Sequence, residues 1–237
     1  MQKHQTEITE KGYTLLENVF SDEELESIIN LVENADRTKA TFRKSSGLFA
    51  IRQFLKEVPE CASLIFNDKL RKIISNYFGK GCFVVKSIYF DKPEQSNWFV
   101  AYHQDLTISV DQKTAVEGYG PWTVKQNQFA VQPPLNVLEN IYTIRIHLDD
   151  TDENNGALKV ICGSHAKGIY RPETINWNNE KEETCNLKAG DVMIMKPLLL
   201  HSSGRTTNNN KRRVIHIELS DIELPEPLQW AERMAIL

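Results

Sequence analysis

The sequence predicts a mainly β protein in which a closed barrel or double-sheet core follows a mostly helical N-terminal third. Short β-rich runs separated by turn signals begin at Cys82, and no helical pattern alternates with them. Before that point, apolar residues recur at helical spacing. All-β folds of 237 residues commonly remain undivided, so we expect residues 1–237 to form one domain.

The N-terminal part, about residues 1–80, opens with a predicted short strand at Gly12–Leu16. Ser21 is placed to cap a helix, with Glu24 as its reciprocal capping partner. A second helical region is predicted from about residue 59 to residue 78, where Gly79 follows.

The core, about residues 82–220, is read from its β-rich runs. The predicted strands are Phe83–Phe90, Trp98–Tyr102, Tyr142–Leu148, Leu158–Cys162, Asp191–Met195 and Arg212–Leu219. The run Asn208–Asn210 is interpreted as a hairpin tip, and Asp149–Gly156 as a turn between strands. Residues 111–140, rich in glycine, proline and aromatic residues, are expected to form a lid loop outside the sheet or, alternatively, a surface insertion.

Composition excludes several classes of protein. A net charge of −4 lacks the broad basic field of a non-specific nucleic-acid binder, so no nucleic-acid partner is expected. The N-terminus has no apolar leader and the chain has no apolar run of about 18 residues, so we expect a cytoplasmic protein without membrane contact. The four cysteines show no CxxC spacing, which favours reduced thiols.

A candidate metal site consists of His103, Asp105 and the distant His201. Residues two apart on a strand point to the same face, so one strand end supplies both His103 and Asp105. His201 follows another apolar run and can return to the same end of a barrel. Two imidazoles and a carboxylate without thiolate leave coordination positions open, which favours non-haem Fe(II) over structural zinc.

Arg212 is a candidate carboxylate-binding residue. Strand alternation sends Arg212 and His216 to one face and Arg213 to the other, so only one of the two arginines can face the metal. The guanidinium fork suits a bidentate pair with a carboxylate. The alternative is two surface arginines at the start of an edge strand.

Several longer motifs extend this pattern along most of the chain. They are His103-Gln104-Asp105-Leu106, Leu148-Asp149-Asp150, Glu153-Asn154-Asn155-Gly156-Ala157-Leu158, Gly163-Ser164-His165, Ala189-Gly190-Asp191-Val192 and His201-Ser202-Ser203-Gly204, with Arg212 in register. With these motifs the chain resembles the phytanoyl-CoA dioxygenase-like (PhyH) family of Fe(II)/2-oxoglutarate-dependent oxygenases.

The resemblance implies a double-stranded β-helix, or cupin-like jelly-roll, core with flanking N-terminal helices. It also implies iron held by His103, Asp105 and His201. Arg212 would bind the distal carboxylate of 2-oxoglutarate, and Ser203 and Gln104 would lie near this cosubstrate. The implied reaction uses O2 and 2-oxoglutarate, releases succinate and CO2, and hydroxylates a C–H bond.

The substrate is expected to be a small or medium molecule with an acidic group. Alternation places Arg145 on an inward face, and an inward arginine is costly unless paired. We predict that Arg145 meets an acidic group of substrate or cosubstrate, the alternative being an ion pair with Asp149 or Glu218. The proposed lid contributes Tyr119, Trp122, Lys125 and Phe129.

Two other functions stay open at the level of sequence. One is a non-catalytic jelly-roll module that binds a metal or small ligand. The other is an oxygenase that acts on a macromolecule, which the acidic charge balance does not favour.

Overall fold

The computed structural model describes residues 2–36, 38, 41–45, 48–79, 81–94, 96–125 and 128–236. Its helices are α1 (Gln2–Lys11), α2 (Asp22–Glu33), α3 (Phe54–Glu57), α4 (Cys61–Ile65), α5 (Asp68–Phe78) and α6 (Leu135–Glu139). Its strands are β1 (Tyr13–Leu16), β2 (Phe42–Ser45), β3 (Leu48–Arg52), β4 (Phe83–Lys92), β5 (Val100–His103), β6 (Ile108–Val110), β7 (Trp122–Lys125), β8 (Gln128–Val131), β9 (Tyr142–His147), β10 (Leu158–Ile161), β11 (Glu182–Cys185), β12 (Val192–Met195), β13 (His201–Ser203), β14 (Arg212–Ser220) and β15 (Met234–Ala235).

The core is a jelly roll of two facing antiparallel sheets. In the major sheet the central order is β12-β9-β14-β4, and in the minor sheet the order is β11-β10-β13-β5. The chain passes from β4 to β5, from β9 to β10, and from β13 to β14, changing sheet each time. This interleaving is the predicted double-stranded β-helix, and β14 lies at its centre with every residue buried.

The N-terminal third covers the outer face of the major sheet. Ser21 caps α2 and Glu24 completes the capping box, as predicted. The predicted helix over residues 59–78 is instead two helices, because the Asn67 side chain accepts a hydrogen bond from Leu70 N at 2.9 Å and starts α5. The hairpin of β2 and β3, which extends the major sheet beyond β4, was not predicted.

A hydrophobic core joins these helices to the major sheet. Buried side chains from α2, α5, β9, β12 and β14 pack together in it, including Ile28, Leu70, Ile144, Ile194 and Ile215. Their apolar burial fixes the outer face of the sheet and leaves its inner face for polar residues.

Residues 111–140 lie outside the two sheets of the jelly roll, but they do not form an irregular loop. β6, β8 and β7 form a separate three-stranded sheet, and α6 follows it. Buried Ile108, Val131 and Leu138 pack in one cluster with Val85 of the major sheet. This segment is therefore anchored by its own core, and its motion as a lid stays a prediction.

The hairpin predicted at Asn208–Asn210 is also wrong. β13 belongs to the minor sheet and β14 to the major sheet, so the segment between them crosses from one layer to the other. The remaining predicted strands are all present, with ends shifted by a few residues. All four cysteines are free thiols, as predicted. Among the described helices none is long and apolar enough to span a membrane.

Candidate metal centre and cosubstrate pocket

The two candidate histidines face each other on neighbouring strands of the minor sheet. The antiparallel register of β5 and β13 pairs His103 with His201, and the next pair is Val100 with Ser203. β5 thus contains one extra residue over this stretch, which is a β-bulge. Because of it, Val100 and His103 both line one cavity, although strict alternation would separate them.

Asp105 completes a compact set of three donors. His103 Nε2 lies 3.8 Å from Asp105 Oδ1, and His201 Nε2 lies 3.9 Å from Asp105 Oδ2. Two donors held about 2.1 Å from a common ion can be at most roughly 4.2 Å apart, so both separations fit one metal. The Asp105 N–H donates to Pro197 O at 2.9 Å, which ties this strand end to the segment before His201.

Backbone carbonyls set the tautomer of both imidazoles. His103 Nδ1 lies 2.9 Å from Ala101 O, and His201 Nδ1 lies 2.8 Å from Leu199 O. A carbonyl only accepts, so Nδ1 carries the proton and Nε2 keeps its lone pair for a metal. Burial lowers the pKa of His201 to about 4, which keeps the ring neutral. Burial alone would raise the pKa of Asp105, but its electrostatic interactions with His201 and the Lys86 ammonium lower it.

Arg212 is a buried cation without a full set of partners. It is 4% exposed, and its Nε and Nη1 find no hydrogen-bond acceptor in the described part of the chain. Burial, followed by the repulsion of Arg145, lowers the pKa of Arg212 to about 9. A buried charge of this kind is costly unless a ligand pairs with it.

Lys92 is a second buried cation at the same place, and sequence reasoning missed it. It lies opposite Arg212 in the β4–β14 register and has no exposed surface. Its ammonium donates to Gly204 O, and burial together with Arg212 lowers its pKa to about 8. A Cβ placed on Gly156 would lie 2.6 Å from Lys92 Nζ and 3.2 Å from Ser203 Oγ, so these two groups converge on one point.

A cavity of about 120 Å³ connects the donor set with Arg212. It is lined by Lys86, Ile88, Phe90, Trp98, Val100, His103, Asp105, Arg145, Leu158, His201, Ser202, Ser203, Arg212 and His216. The Ser203 hydroxyl donates to Gly156 O at 2.9 Å and keeps its lone pairs for a ligand. The three predicted metal ligands and Arg212 thus line one cavity.

Arg145 enters this cavity at the end of a polar chain. Its Nη1 lies 3.1 Å from His216 Nδ1, while His216 Nε2 lies 3.1 Å from Glu218 Oε1, which also accepts from Lys86 Nζ at 2.7 Å. Since a guanidinium only donates, His216 Nδ1 must accept and Nε2 must carry the proton. The alternative ion pairs of Arg145 do not form, because Asp149 pairs with Arg213 and Glu218 with Lys86.

Arg145 keeps a further donor for a ligand. Its Nε has no acceptor among the described residues, and burial lowers the pKa of the guanidinium to about 10. Hydrogen bonding to His216 therefore fixes the orientation of the guanidinium without neutralising its charge. Arg145 and Arg212 together make the cavity strongly cationic beside Asp105.

Gln104 occupies a different environment from the one predicted. Its Nε2 donates to Leu198 O at 2.6 Å and to Gly168 O at 2.9 Å, and its Oε1 accepts from Tyr170 N at 2.8 Å. These bonds use both N–H groups of the amide, and Gln104 does not line the cavity. Gln104 therefore ties the end of β5 to two distant backbone segments, and its contact with the cosubstrate stays a prediction.

Of the four residues predicted in the lid, Tyr119, Trp122 and Phe129 are described with their side chains, and none of these three lines the metal cavity. Tyr119, Trp122 and Phe129 pack around the buried cluster of the β6-β8-β7 sheet. Phe129 also lines a second cavity, which adjoins the first. Lys125 ends β7, and its side chain lies outside the described part of the molecule.

The chain is similar in sequence to proteins of one known family. A family model described as phytanoyl-CoA dioxygenase (PhyH) matches residues 8–214. The chain is 24% identical to a probable alpha-ketoglutarate-dependent hypophosphite dioxygenase of Stutzerimonas stutzeri, over 91% of this chain and 77% of that relative. It is 22% identical to the peroxisomal phytanoyl-CoA dioxygenase of Bos taurus, over 90% of this chain and 66% of that relative, just under two thirds of its length.

Solved structures share the fold. The chain resembles EctD of S. alaskensis with 2-oxoglutarate and 5-hydroxyectoine, with a TM-score of 0.71, 18% identity, and coverage of 93% of this chain and 76% of that one. It also resembles HygX of Streptomyces hygroscopicus with nickel, 2-oxoglutarate and hygromycin B, with a TM-score of 0.66, 14% identity, and coverage of 93% and 87%. The predicted jelly-roll fold is confirmed.

Proposed function

This chain belongs to the phytanoyl-CoA dioxygenase family and is a 2-oxoglutarate-dependent non-haem iron oxygenase, and we propose that it hydroxylates a C–H bond of a small or medium acidic molecule. Fe(II), 2-oxoglutarate and O2 are the cofactor and cosubstrates of this class. One oxygen atom of O2 enters succinate, formed with CO2 from 2-oxoglutarate, and the other enters the new hydroxyl group.

The observation that carries the proposal is that one cavity joins a three-donor metal set to buried cations that lack partners. His103, Asp105 and His201 present three donor atoms within 4.8 Å of one another. Neutral imidazoles with Nε2 lone pairs and an ionised carboxylate suit Fe(II). When bound, iron supplies the activation of dioxygen and the oxidation of the substrate.

The residues around the donor set bind and orient the cosubstrate. Arg212 offers the N–H groups of two unpartnered nitrogens, Nε and Nη1, to the distal carboxylate of 2-oxoglutarate, with Lys92 and Ser203 beside it. The apolar walls of the cavity, Phe90, Trp98, Val100 and Leu158, exclude water from the reacting groups. Preorganised positive charge in a dry cavity favours a dicarboxylate over a neutral molecule.

Arg145 supports an acidic group on the molecule bound beside the metal. Its unpartnered Nε lies in a cavity where Arg212 is already assigned to 2-oxoglutarate and Lys86 is paired with Glu218. The Stutzerimonas stutzeri relative is named for hypophosphite, a small anion. An acidic substrate therefore agrees both with the charge of the cavity and with a relative's named substrate.

The deciding experiment is iron-dependent conversion of 2-oxoglutarate to succinate by the purified protein. We expect succinate to form with added Fe(II) and O2, to stop when a chelator removes the metal, and to resume when Fe(II) is restored. His201→Ala is expected to abolish turnover. His4→Ala is the matched control, because His4 lies in α1, outside the donor set, and turnover should not change. A protein that binds iron but never consumes 2-oxoglutarate would instead be a non-catalytic binding module.

A further inference from the structure

A second cavity of about 230 Å³ adjoins the metal cavity. The two cavities share two lining residues, Lys86 and Ile88. Both belong to the inward-facing row of β4, which continues to Phe90 in the metal cavity. One strand therefore lines both cavities, and Lys86 lies at their boundary.

The walls of the second cavity come from three segments added around the jelly roll. Arg52 and Lys56 belong to the β3–α3 segment, Phe129 belongs to β8, and Ala231 belongs to the C-terminal segment. Hydrogen bonds join these segments across the cavity. Arg52 Nη1 donates to Gln128 Oε1 at 3.1 Å, Ala231 N donates to Ser109 O at 3.0 Å, and Lys56 Nζ donates to Ala231 O.

The cations of this cavity outnumber its acidic groups. Arg52, Lys56 and Lys86 line it together with Asp111 and Glu232. The Glu232 carboxylate accepts the Ser87 N–H at 2.9 Å as well as the Ser87 hydroxyl, and the Asp111 carboxylate accepts Gln229 N–H at 3.0 Å.

Lys86 keeps hydrogen-bonding capacity for a ligand. It gives one N–H to Glu218, at 2.7 Å, and an ammonium has three N–H groups. Two therefore remain at the boundary between the two cavities. An anion in the second cavity would meet Lys86 on the metal side and Arg52 and Lys56 on the other.

We propose that the second cavity is the substrate pocket and that it holds a small oxyanion, a carboxylate or a phosphonate, whose reacting carbon extends past Lys86 and Ile88 to the metal. The inference rests on the proposed oxygenase function. At about 230 Å³ the cavity is below the roughly 300–1,000 Å³ of drug-sized sites, which excludes a CoA thioester enclosed within it.

The test is calorimetric titration of protein loaded with nickel(II) and saturating 2-oxoglutarate, a state that binds ligands without turnover. The probes are propionate, methylphosphonate and the neutral propionamide. We expect an acid to bind at least about tenfold more tightly than the amide, and the stronger of the two acids identifies the oxyanion. Loss of one charge-assisted hydrogen bond, in Arg52→Gln or Lys56→Gln, is expected to weaken that binding roughly tenfold.

Two further variants distinguish a loss of the second cavity from a general change in charge or stability. Ala231→Phe fills the second cavity and is expected to abolish binding of the acid, with unchanged affinity for nickel and 2-oxoglutarate. Lys72→Gln removes the same charge from an exposed position of α5 and should leave binding unchanged. Melting temperatures of all variants establish that they are folded.

Three results would overturn the proposal: no binding of either acid, equal binding of acid and amide, or undiminished binding of the acid by Ala231→Phe. Iron-dependent formation of succinate by the parent protein is measured in parallel. Its absence would refute the proposed oxygenase function, whereas its presence together with any of the three results would refute the substrate pocket alone.

Discussion

Neighbouring arginines on the two faces of β14 differ in whether they have an acidic partner. On the outer face, Arg213 Nε and Nη2 donate to the two carboxylate oxygens of Asp149 at 2.9 and 2.8 Å. On the inner face, Arg212 is just as buried, yet its Nε and Nη1 have no acceptor among the described residues. The outer face continues into the apolar core with Ile215, whereas the inner face continues to the polar His216.

This difference shows that the partner, and not the residue type, determines what a buried cation does. A paired charge such as Arg213 contributes to stability, and removing it leaves its carboxylate uncompensated. An unpaired charge such as Arg212 destabilises the ligand-free protein and favours binding of an anion. The contrast predicts that variants of the two faces separate stability from binding.

The largest expected effect is a loss of stability on the outer face. Arg213→Ala leaves the largely buried Asp149 without its bidentate partner, and we expect the free energy of unfolding to fall by about 3 kcal/mol. Urea denaturation measures this change. Arg233→Ala, which breaks an exposed pair with Glu223, is the control and should cost about 1 kcal/mol or less. Equal losses in the two variants would contradict the contrast.

The next effect lies on the inner face and concerns binding. Arg212→Gln removes the charge that faces the cosubstrate, and we expect the KM for 2-oxoglutarate to rise roughly a hundredfold, as for two charge-assisted hydrogen bonds. The melting temperature should stay the same or rise, since a buried unpaired charge is removed. Succinate assays and thermal melts test both parts, and a lowered melting temperature with an unchanged KM would reverse the assignment of the two faces.

A smaller effect, about 2 kcal/mol, concerns the pH dependence of stability. Lys92 has a folded-state pKa of about 8, below the 10.5 of an ordinary lysine, mainly because it is buried. Between these values the unfolded chain binds more protons, so stability of the ligand-free protein rises with pH over this range. Lys196 has a similar pKa, so the measurement is the difference between parent and Lys92→Met in urea unfolding from pH 7 to pH 10.5. Identical pH profiles would show that burial does not lower the pKa of Lys92.

The smallest effect, roughly tenfold in affinity, tests the polar chain behind Arg145. Glu218 accepts the Nε2 proton of His216 and so leaves Nδ1 to accept from Arg145. Glu218→Gln can offer an N–H to Nε2 and so removes the preference for this tautomer. We expect weaker binding of the acidic substrate whose acidic group contacts Arg145, measured by calorimetry, while the affinity for nickel is unchanged. Equal losses of both affinities would indicate general disruption of the cavity.

Sequence patterns predicted the features of this protein that depend on residues close together in the chain. Ser21 and Glu24 are adjacent in a helix start, and the strands of the core alternate or run apolar over several residues, so each is visible in a short window. The metal set was accessible because His103 and Asp105 lie two residues apart at the end of a strand, and the motif resemblance added His201.

The remaining features depend on contacts between distant segments. Asn67 caps α5 and so divides the predicted helix, although the residues around it also fit a continuous helix. Asn208–Asn210 joins strands of two different sheets, although its composition is typical of a hairpin. Lys92 ends a strand two residues after Phe90, and no local signal shows that it meets Arg212 on another strand. The second cavity likewise exists only where three separate segments meet, which periodicity does not reveal.

The links between the two parts of the metal site also constrain when iron can enter. Gln104 Nε2 donates to Leu198 O at 2.6 Å and Asp105 N–H to Pro197 O at 2.9 Å, so the early strand end is fastened to the late segment that carries His201. A nascent chain that has emerged only as far as Asp105 holds an incomplete donor set. The full set of three donors therefore exists only after the jelly roll has closed and the walls of the cavity are in place.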